Sequence, residues 1–396
     1  MSALETLETL PPLVPVGLEV LVYRVPLATP VQTSFGTMQD RPACLVRVVD
    51  EDGQQGWGEI WCNFPSVGAE HRARLAADCV APLLLGRQWP GPAEAYQALT
   101  NTLHVLSLQT GEPGPIAQVV AGIDIALWDL AARKLGKPLW QLFGGTSPAV
   151  RVYASGINPT QPERMAASAA AQGYRAFKLK IGFGEARDTA NLRALRAELG
   201  ANAPLMVDAN QAWSLHEAAH MASVLEGHGV DWLEEPVAAD TRLEDWKALA
   251  ARTSIRLAAG ENIRGDAEFD AHLANGALRV VQPDIAKWGG FTAGVPLGRR
   301  ISAHGAWYCP HWLGGGIGLA ASLQLKAAVG GAGMVEVDAN HNPLRDLFVQ
   351  PLGTVREGVT TLTTAPGLGV EPDFGAARAY LVMHNRVGKC TPTYSQ

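Results

Sequence analysis

Thiols are scarce in this chain. Its 396 residues include 5 cysteines, Cys44, Cys62, Cys79, Cys309 and Cys390, an odd number with no CxxC spacing. That pattern argues against a thiolate zinc site and a disulfide framework, and fits a reducing cytoplasm. Charge is sparse as well: charged residues make up 18% and hydrophobic residues 47%, the balance of a folded chain with a sizeable core. The 32 basic residues are outnumbered by 38 acidic ones and form no cluster, so nucleic acid is not an expected partner. No run of about 18 apolar residues appears, and the first ten residues are acidic, so neither a membrane span nor a signal peptide is expected.

The length predicts two or three domains of about 150 residues, or one large barrel with an attachment. Residues 1–16 read as a loose tail and 17–148 as an α+β domain. Within the latter, Leu18 to Val25 alternates like a strand, and Asp52-Gly53 stands between two β-type runs as a hairpin turn. Helical periodicity follows at Ala69 to Leu85 and Ile116 to Leu135. Over 149–347 short apolar runs alternate with Ala-rich helical segments, the mark of βα repeats. Candidate strands end near Gly156, Lys180, Asp208, Glu234, Gly260, Asp284, Cys309 and Glu336. Eight such units predict a closed α/β barrel, and no GxGxxG follows its first strand to favour an open, doubly wound sheet. Residues 348–396 return to β-like sequence and are expected to pack on the N-terminal sheet.

In such a barrel the polar residues at the carboxyl ends of strands face the site. Asp208, Glu234 and Glu261 recur at intervals of 26 and 27 residues, close to the repeat period, which sets them on three neighbouring strands at one level. Any one of them alone reads equally well as a helix cap or a partner for a surface lysine. Three converging carboxylates repel one another, and a hard cation such as Mg²⁺ relieves that repulsion. Glu235 alternates away and reads as structural, whereas Asn210 shares the face of Asp208 and is a candidate substrate contact.

Lys178 and Lys180, two residues apart, point to the same side of a strand, the barrel interior. Two ammonium groups held close together and near a metal predict a lowered pKa for one of them, hence a base. Asp284 and His311, 27 residues apart, place a carboxylate beside an imidazole and predict a second base across the cavity. Glu336 on the last strand would donate a hydrogen bond to a developing anion if it is kept protonated, an ordinary ion-pairing role being the alternative. A metal and two opposed bases suit removal of a proton from the carbon next to a carboxylate, followed by its return on the other face (racemisation) or by loss of a β-hydroxyl (dehydration).

The chain resembles the enolase superfamily, and within it the mandelate racemase subgroup. The resemblance covers nearly everything beyond residue 17. It is carried by Ile123-Asp124-Ile125-Ala126-Leu127-Trp128-Asp129, Lys178-Leu179-Lys180, Gly260-Glu261-Asn262, Pro283-Asp284 with Gly289-Gly290, and Pro366-Gly367-Leu368-Gly369. A Lys or His base with Mg²⁺ is a known pairing for this superfamily. The resemblance implies a modified (β/α)7β barrel, a TIM-like fold, under an N-terminal α+β capping domain. It also implies one Mg²⁺ on Asp208, Glu234 and Glu261, with Lys180 and His311 as opposed acid/base catalysts. Asp284 would orient His311, Lys178 would assist electrostatically and Glu336 would serve as electrophile. The muconate lactonizing branch carries Lys where this chain has Asp284.

The loops near Thr33 to Met38 and Trp61 to Gly68 are expected to close the cavity and choose the substrate. Trp61, Trp288 and Trp312 are candidate contacts for it, and most other aromatics are expected in the core. No dedicated basic group stands out in the capping loops for a second substrate carboxylate, Arg24, Arg41 and Arg151 being the possible exceptions. The expected substrate is therefore a monocarboxylic acid sugar undergoing dehydration, with racemisation or epimerisation of a 2-hydroxy acid as the alternative. A barrel glycosidase using Glu234 and Glu261 leaves the lysine pair unexplained, and a non-catalytic metal-stabilised scaffold leaves the bases unexplained. Members of the family commonly associate, so a homo-oligomer is expected.

Overall fold

The computed structural model describes residues 10–34, 36–346, 349, 350, 352–375 and 377–390. Most of the tail expected over 1–16 therefore lies outside the described residues. Alternation builds the first sheet: β1 (Pro15–Thr33) and β2 (Gly36–Asp50) pair antiparallel, and β3 (Gln55–Ile60) joins β2 after a turn through Asp52 and Gly53. Val20, Val22, Val46 and Val48 pack on one side of this sheet with Ile123 and Leu127. Leu21, Tyr23, Leu45 and Trp57 pack on the other, toward the barrel. The period of two along each strand thus supplies one layer to each core.

Three helical stretches cover the outer face of the sheet. The first runs Gly68–Arg74, Leu75–Val80 in π form and Ala81–Leu84. The second, Pro92–Thr110, was not anticipated from periodicity, because its buried face is a narrow stripe of Pro92, Ala95, Tyr96, Leu99 and Leu103. Its ends do carry signals, Pro92 in the first turn and Gly111 in the left-handed cap. The third, Pro113–Lys134, is long and apolar enough by length and composition to cross a membrane, but 89% of its apolar window is buried inside the molecule.

The barrel strands are β4 (Ala149–Ile157), β5 (Phe177–Lys180), β6 (Leu205–Asp208), β7 (Trp232–Glu234), β8 (Arg256–Ala259), β9 (Leu278–Val281), β10 (Trp307–Tyr308) and β11 (Val335–Asp338). They form one parallel sheet in the order β10-β9-β8-β7-β6-β5-β4-β11. Across the remaining seam Glu336 N donates to Pro310 O and Tyr308 N to Ala332 O, each at 3.2 Å. Helices follow β4 to β10, at Pro162–Ala171, Glu185–Leu199, Leu215–Glu226, Leu243–Ala250, Gly265–Asn275, Gly290–Ala303 and Gly316–Val329. This is the (β/α)7β barrel with its N-terminal cap. Tyr153, Met206, Trp232, Ala258, Val280 and Cys309 fill its lower interior and floor the site. The short β12 (Val359–Thr361) pairs with β4, and β13 (Leu381–Gly388) pairs antiparallel with β1, which returns the C-terminal segment to the cap.

Buried acids of the cap dock at the amino ends of barrel helices. Glu59 accepts the Gly315 and Gly318 N–H groups at 2.6 and 2.8 Å, where the helix Gly316–Val329 begins. Asp124 accepts the Thr292 N–H at 3.0 Å and its hydroxyl at 2.6 Å, at the start of Gly290–Ala303. Unpaired N–H groups and the helix dipole favour an anion there. Burial nevertheless wins over these hydrogen bonds and pushes each carboxyl up to about 7. Gly315 leaves room for the approach, since a Cβ there would lie 2.6 Å from Glu59 Oε1 and force the carboxylate to shift.

Candidate active site

Strand register gathers the first part of the site. Lys180 pairs with Asp208 across β5 and β6, and Asp208 pairs with Glu234 across β6 and β7. Lys178 and Lys180 both turn inward, while Phe177 and Leu179 pack outward against the helices. Glu261 is not level with the other two acids on its strand. It lies beyond the end of β8, after Gly260, whose φ of +151° and lack of side-chain space, with Gln282 N 2.5 Å from an added Cβ, admit only glycine. Asp284 and His311 follow β9 and β10 in the same way, and Glu336 lies within β11.

Each predicted ligand is met by a cation. Lys178 Nζ lies 2.7 Å from both Glu234 and Glu336, and Lys180 Nζ lies 2.5 Å from Asp208 Oδ2. His311 pairs through Nε2 with Glu261 and through Nδ1 with Asp284 Oδ2 at 2.7 Å. Among the described residues no three acid, histidine or thiol groups stand grouped around one ion position. The carboxylates are distributed among Lys178, Lys180 and His311 because an ammonium or imidazole at contact distance neutralises a buried acid most directly.

These pairings correct one expectation and decide between two alternatives for Glu336. Burial pulls Lys180 down, but Asp208 outweighs burial and the repulsion from Lys178, so the ammonium is held above its usual range. Lys178 is likewise held well above it, against burial, by Glu234 and Glu336. Neither lysine has the lowered pKa expected from their spacing, since the attraction of the adjoining acids outweighs the repulsion between the two ammonium groups. Glu336 takes the ion-pairing alternative: burial pushes its carboxyl up, but Lys178 and His311 together pull it down to about 2. It also accepts from the Ser155 hydroxyl and from Trp312 N at 3.2 Å. Burial disfavours the charged form of His311, yet Glu261, Glu336 and the Asp284 hydrogen bond hold it well above the ordinary histidine range.

Above the acids lies a cavity of about 610 Å³ whose walls include Lys180, His311, Glu261 and Asn210 from the barrel and Thr33, Met38, Trp61 and Phe64 from the cap. Asn210 has φ +44° and donates its amide to Asp208 Oδ2 at 3.1 Å. Trp61 lines the cavity as expected. Trp288 does not: its ring lies tilted against Phe269, centroids 5.7 Å apart, and faces a separate cleft beside the helix Pro92–Thr110. Trp312 does not either; its ring is buried against Gly314 and Gly318 and its indole donates to Gly315 O at 2.8 Å. Both follow irregular turns past β9 and β10, where strand parity no longer assigns a face.

One cavity cation, Lys287, lies outside the residues singled out above, whereas Arg41 was among the named exceptions. Glu235 was expected to point away, but its φ of +39° breaks the alternation, and it is buried beside Asn262 and Gln211, which donate to it at 2.8 and 3.0 Å. Burial and the nearby Glu261 push its carboxyl up to about 8. Arg41 and Lys287 both line the cavity, so cations do reach it. Arg41 is already paired with Asp338 and Lys287 stands 3.5 Å from Glu261. The only signal for Lys287 was its place three residues after Asp284. Arg24 instead pairs with Asp40 and Glu70.

The donor set fits a hard divalent ion. Asp208, Glu234 and Glu261 offer only carboxylate oxygens, the hard donors that such an ion prefers. Residues 16–144 match the mandelate racemase/muconate lactonizing enzyme N-terminal domain, and residues 162–376 match the enolase C-terminal domain-like family. The chain belongs to the mandelate racemase/muconate lactonizing enzyme family. Within this family it is 31% identical to the D-galactarolactone cycloisomerase of Agrobacterium fabrum, over 87% of this chain and 93% of that one. A solved mandelate racemase/muconate lactonizing enzyme from Bordetella bronchiseptica RB50 is 52% identical with TM-score 0.89, covering 93% of this chain and 100% of that one. A solved racemase from Streptomyces coelicolor A3(2), with bound magnesium, is 29% identical with TM-score 0.83, covering 92% and 99%. Other relatives in the family are named as dehydratases and racemases, so superfamily enzymes of lyase and racemase type surround this chain.

Proposed function

We propose that this protein removes the proton α to the carboxylate of an acid sugar and expels a β-oxygen, a Mg²⁺-dependent dehydration. The observation that carries this reading is that Lys180 and His311, from strands far apart in the sheet order, line one cavity above three carboxylates. Asp208, Glu234 and Glu261 would hold the ion. When bound, Mg²⁺ supplies a Lewis acid that stabilises negative charge developing on the substrate carboxylate.

The chain's own residues supply the proton transfers. One of Lys180 and His311 takes the α-proton, breaking the C–H bond; its electron pair forms the C=C bond of an enol as the C–O bond to the β-oxygen breaks. The other base, in its protonated form, delivers a proton to the departing oxygen, and the enol then becomes a 2-keto acid. Asp284, bonded to His311 Nδ1, directs Nε2 toward the cavity. Lys178, held between Glu234 and Glu336, keeps a fixed positive charge beneath the substrate carboxylate. The base form of Lys180 requires Asp208 to be engaged elsewhere than with the ammonium. The substrate is taken as a monocarboxylate because both cavity cations outside the base set, Arg41 and Lys287, already face acids of the chain.

Racemisation or epimerisation is the second reading, favoured by the presence of a base on each side of the cavity. Where the leaving oxygen is a ring atom, the same elimination opens a ring without loss of water, which accommodates the cycloisomerase relative. The test is a panel of acid sugars, sugar lactones and 2-hydroxy acids incubated with Mg²⁺ in D₂O. Solvent deuterium at the α-carbon together with a 2-keto product supports elimination, and deuterium with loss of optical rotation and no keto acid supports racemisation. Metal-independent glycoside hydrolysis, or magnesium binding with no exchange into any acid, would overturn the proposal.

A further inference from the structure

Lys287 takes no part in the proton transfers, yet it joins the two domains at the cavity. Its backbone N–H bonds to Asp284 Oδ1 at 3.1 Å, which fixes the turn after β9. Its ammonium donates to Asn262 Oδ1 at 3.1 Å and stands 3.5 Å from Glu261. Asn262 in turn donates to Glu235 at 2.8 Å and to Glu261 at 3.1 Å. From this anchorage on the β7–β8 rim the ammonium reaches the cap, where it sits 4.4 Å from the centre of the Trp61 ring.

Among the described residues no group accepts a hydrogen bond from Trp61. A buried indole N–H ordinarily finds an acceptor; that of Trp61 is buried without one. The ring is instead contacted by two cations, Lys287 and the Arg72 guanidinium at 5.6 Å. Arg72 belongs to the cap itself and is tied to Gln118 at 2.6 Å and Gly68 O at 2.9 Å. The ring also packs on the edge of the barrel core, and Lys287 is the barrel cation that faces it.

We propose that Lys287 is a positioning residue that holds Trp61 over the cavity through a cation–π contact, and so sets the substrate-facing wall formed by the cap. Its kinetic consequence rests on the proposed reaction, but its structural consequence does not. The experiment measures acrylamide quenching of Trp61 fluorescence, taken as the difference between each protein and its Trp61→Phe counterpart, in the wild type, Lys287→Met and Lys287→Arg. Lys287→Met is expected to raise the Trp61 quenching constant about twofold or more, and Lys287→Arg to restore it, because guanidinium also stacks on indole. With a substrate from the panel, Lys287→Met is expected to raise KM about tenfold with kcat within about twofold, and to add little to Trp61→Phe. Unchanged quenching in Lys287→Met, failure of Lys287→Arg to restore it, or a kcat loss at constant KM would overturn the assignment. If no acid in the panel reacts, the proposed reaction falls while the quenching series still decides the role of Lys287.

Discussion

Lys180 and Asp208 are register partners on β5 and β6, and the ammonium donates to the carboxylate across 2.5 Å. A proposed base and a proposed metal ligand therefore share one contact, which couples the proton affinity of Lys180 to whatever Asp208 faces. His311 and Glu261 repeat the arrangement on the opposite side. The same acids that suit a divalent ion hold the two proposed bases in their protonated forms.

Removal of either base tests the assignment directly. Lys180→Ala and His311→Asn are each expected to lower turnover of one substrate configuration by about 10²–10⁴-fold, the usual contribution of general acid–base catalysis. Magnesium affinity, read by calorimetry, should stay close to that of the wild type. Full activity in either variant would remove that residue from the reaction.

Asp284→Asn probes the orientation of His311. Glu261, Glu336 and the Asp284 hydrogen bond together hold the imidazole well above its ordinary range. Loss of the Asp284 charge lowers the His311 pKa, so the limb of the kcat/KM pH profile governed by His311 should move to lower pH. A profile that keeps its position while activity falls would mean that Asp284 does not act through His311.

Magnesium should stabilise the fold as well as support turnover, because an ion that binds only the folded chain shifts unfolding by mass action, about 2.7 kcal/mol at a hundredfold excess over Kd. The expected result is a rise in Tm with added Mg²⁺ that is reversed by EDTA and greatly reduced in Glu234→Gln. A Tm indifferent to Mg²⁺ in the wild type would count against the three-carboxylate site.

The docking acid Asp124 makes a stability prediction with a definite sign. Its folded carboxyl is pushed up to about 7 by burial, against the usual 3.8. Between about pH 4 and 7 the folded state keeps a proton that the unfolded chain has released, so this group makes stability fall as pH rises through that window and level off above it. Asp124→Asn removes the contribution. Denaturant midpoints should show a slope difference between wild type and variant of at most about 1.4 kcal/mol per pH unit in that window and none above it. Parallel curves throughout would refute the linkage.

The βα period, the inward parity of Lys178 and Lys180, and the placing of Asp208 and Glu234 on neighbouring strands were all legible in the amino-acid sequence. These are local properties: a strand alternates every two residues, and a repeat of constant length returns the chain to the same level of the barrel. Tertiary structure alone decided which cation each carboxylate meets, that Glu336 pairs with Lys178, and that Glu235 is held at a positive φ beside Asn262 and Gln211. It also decided that Trp288 and Trp312 leave the cavity while Arg41 and Lys287 enter it. Those outcomes lie past the strand ends or between the two domains, where no periodicity governs direction and each side chain settles where charge pairing and packing with distant parts of the chain are best satisfied.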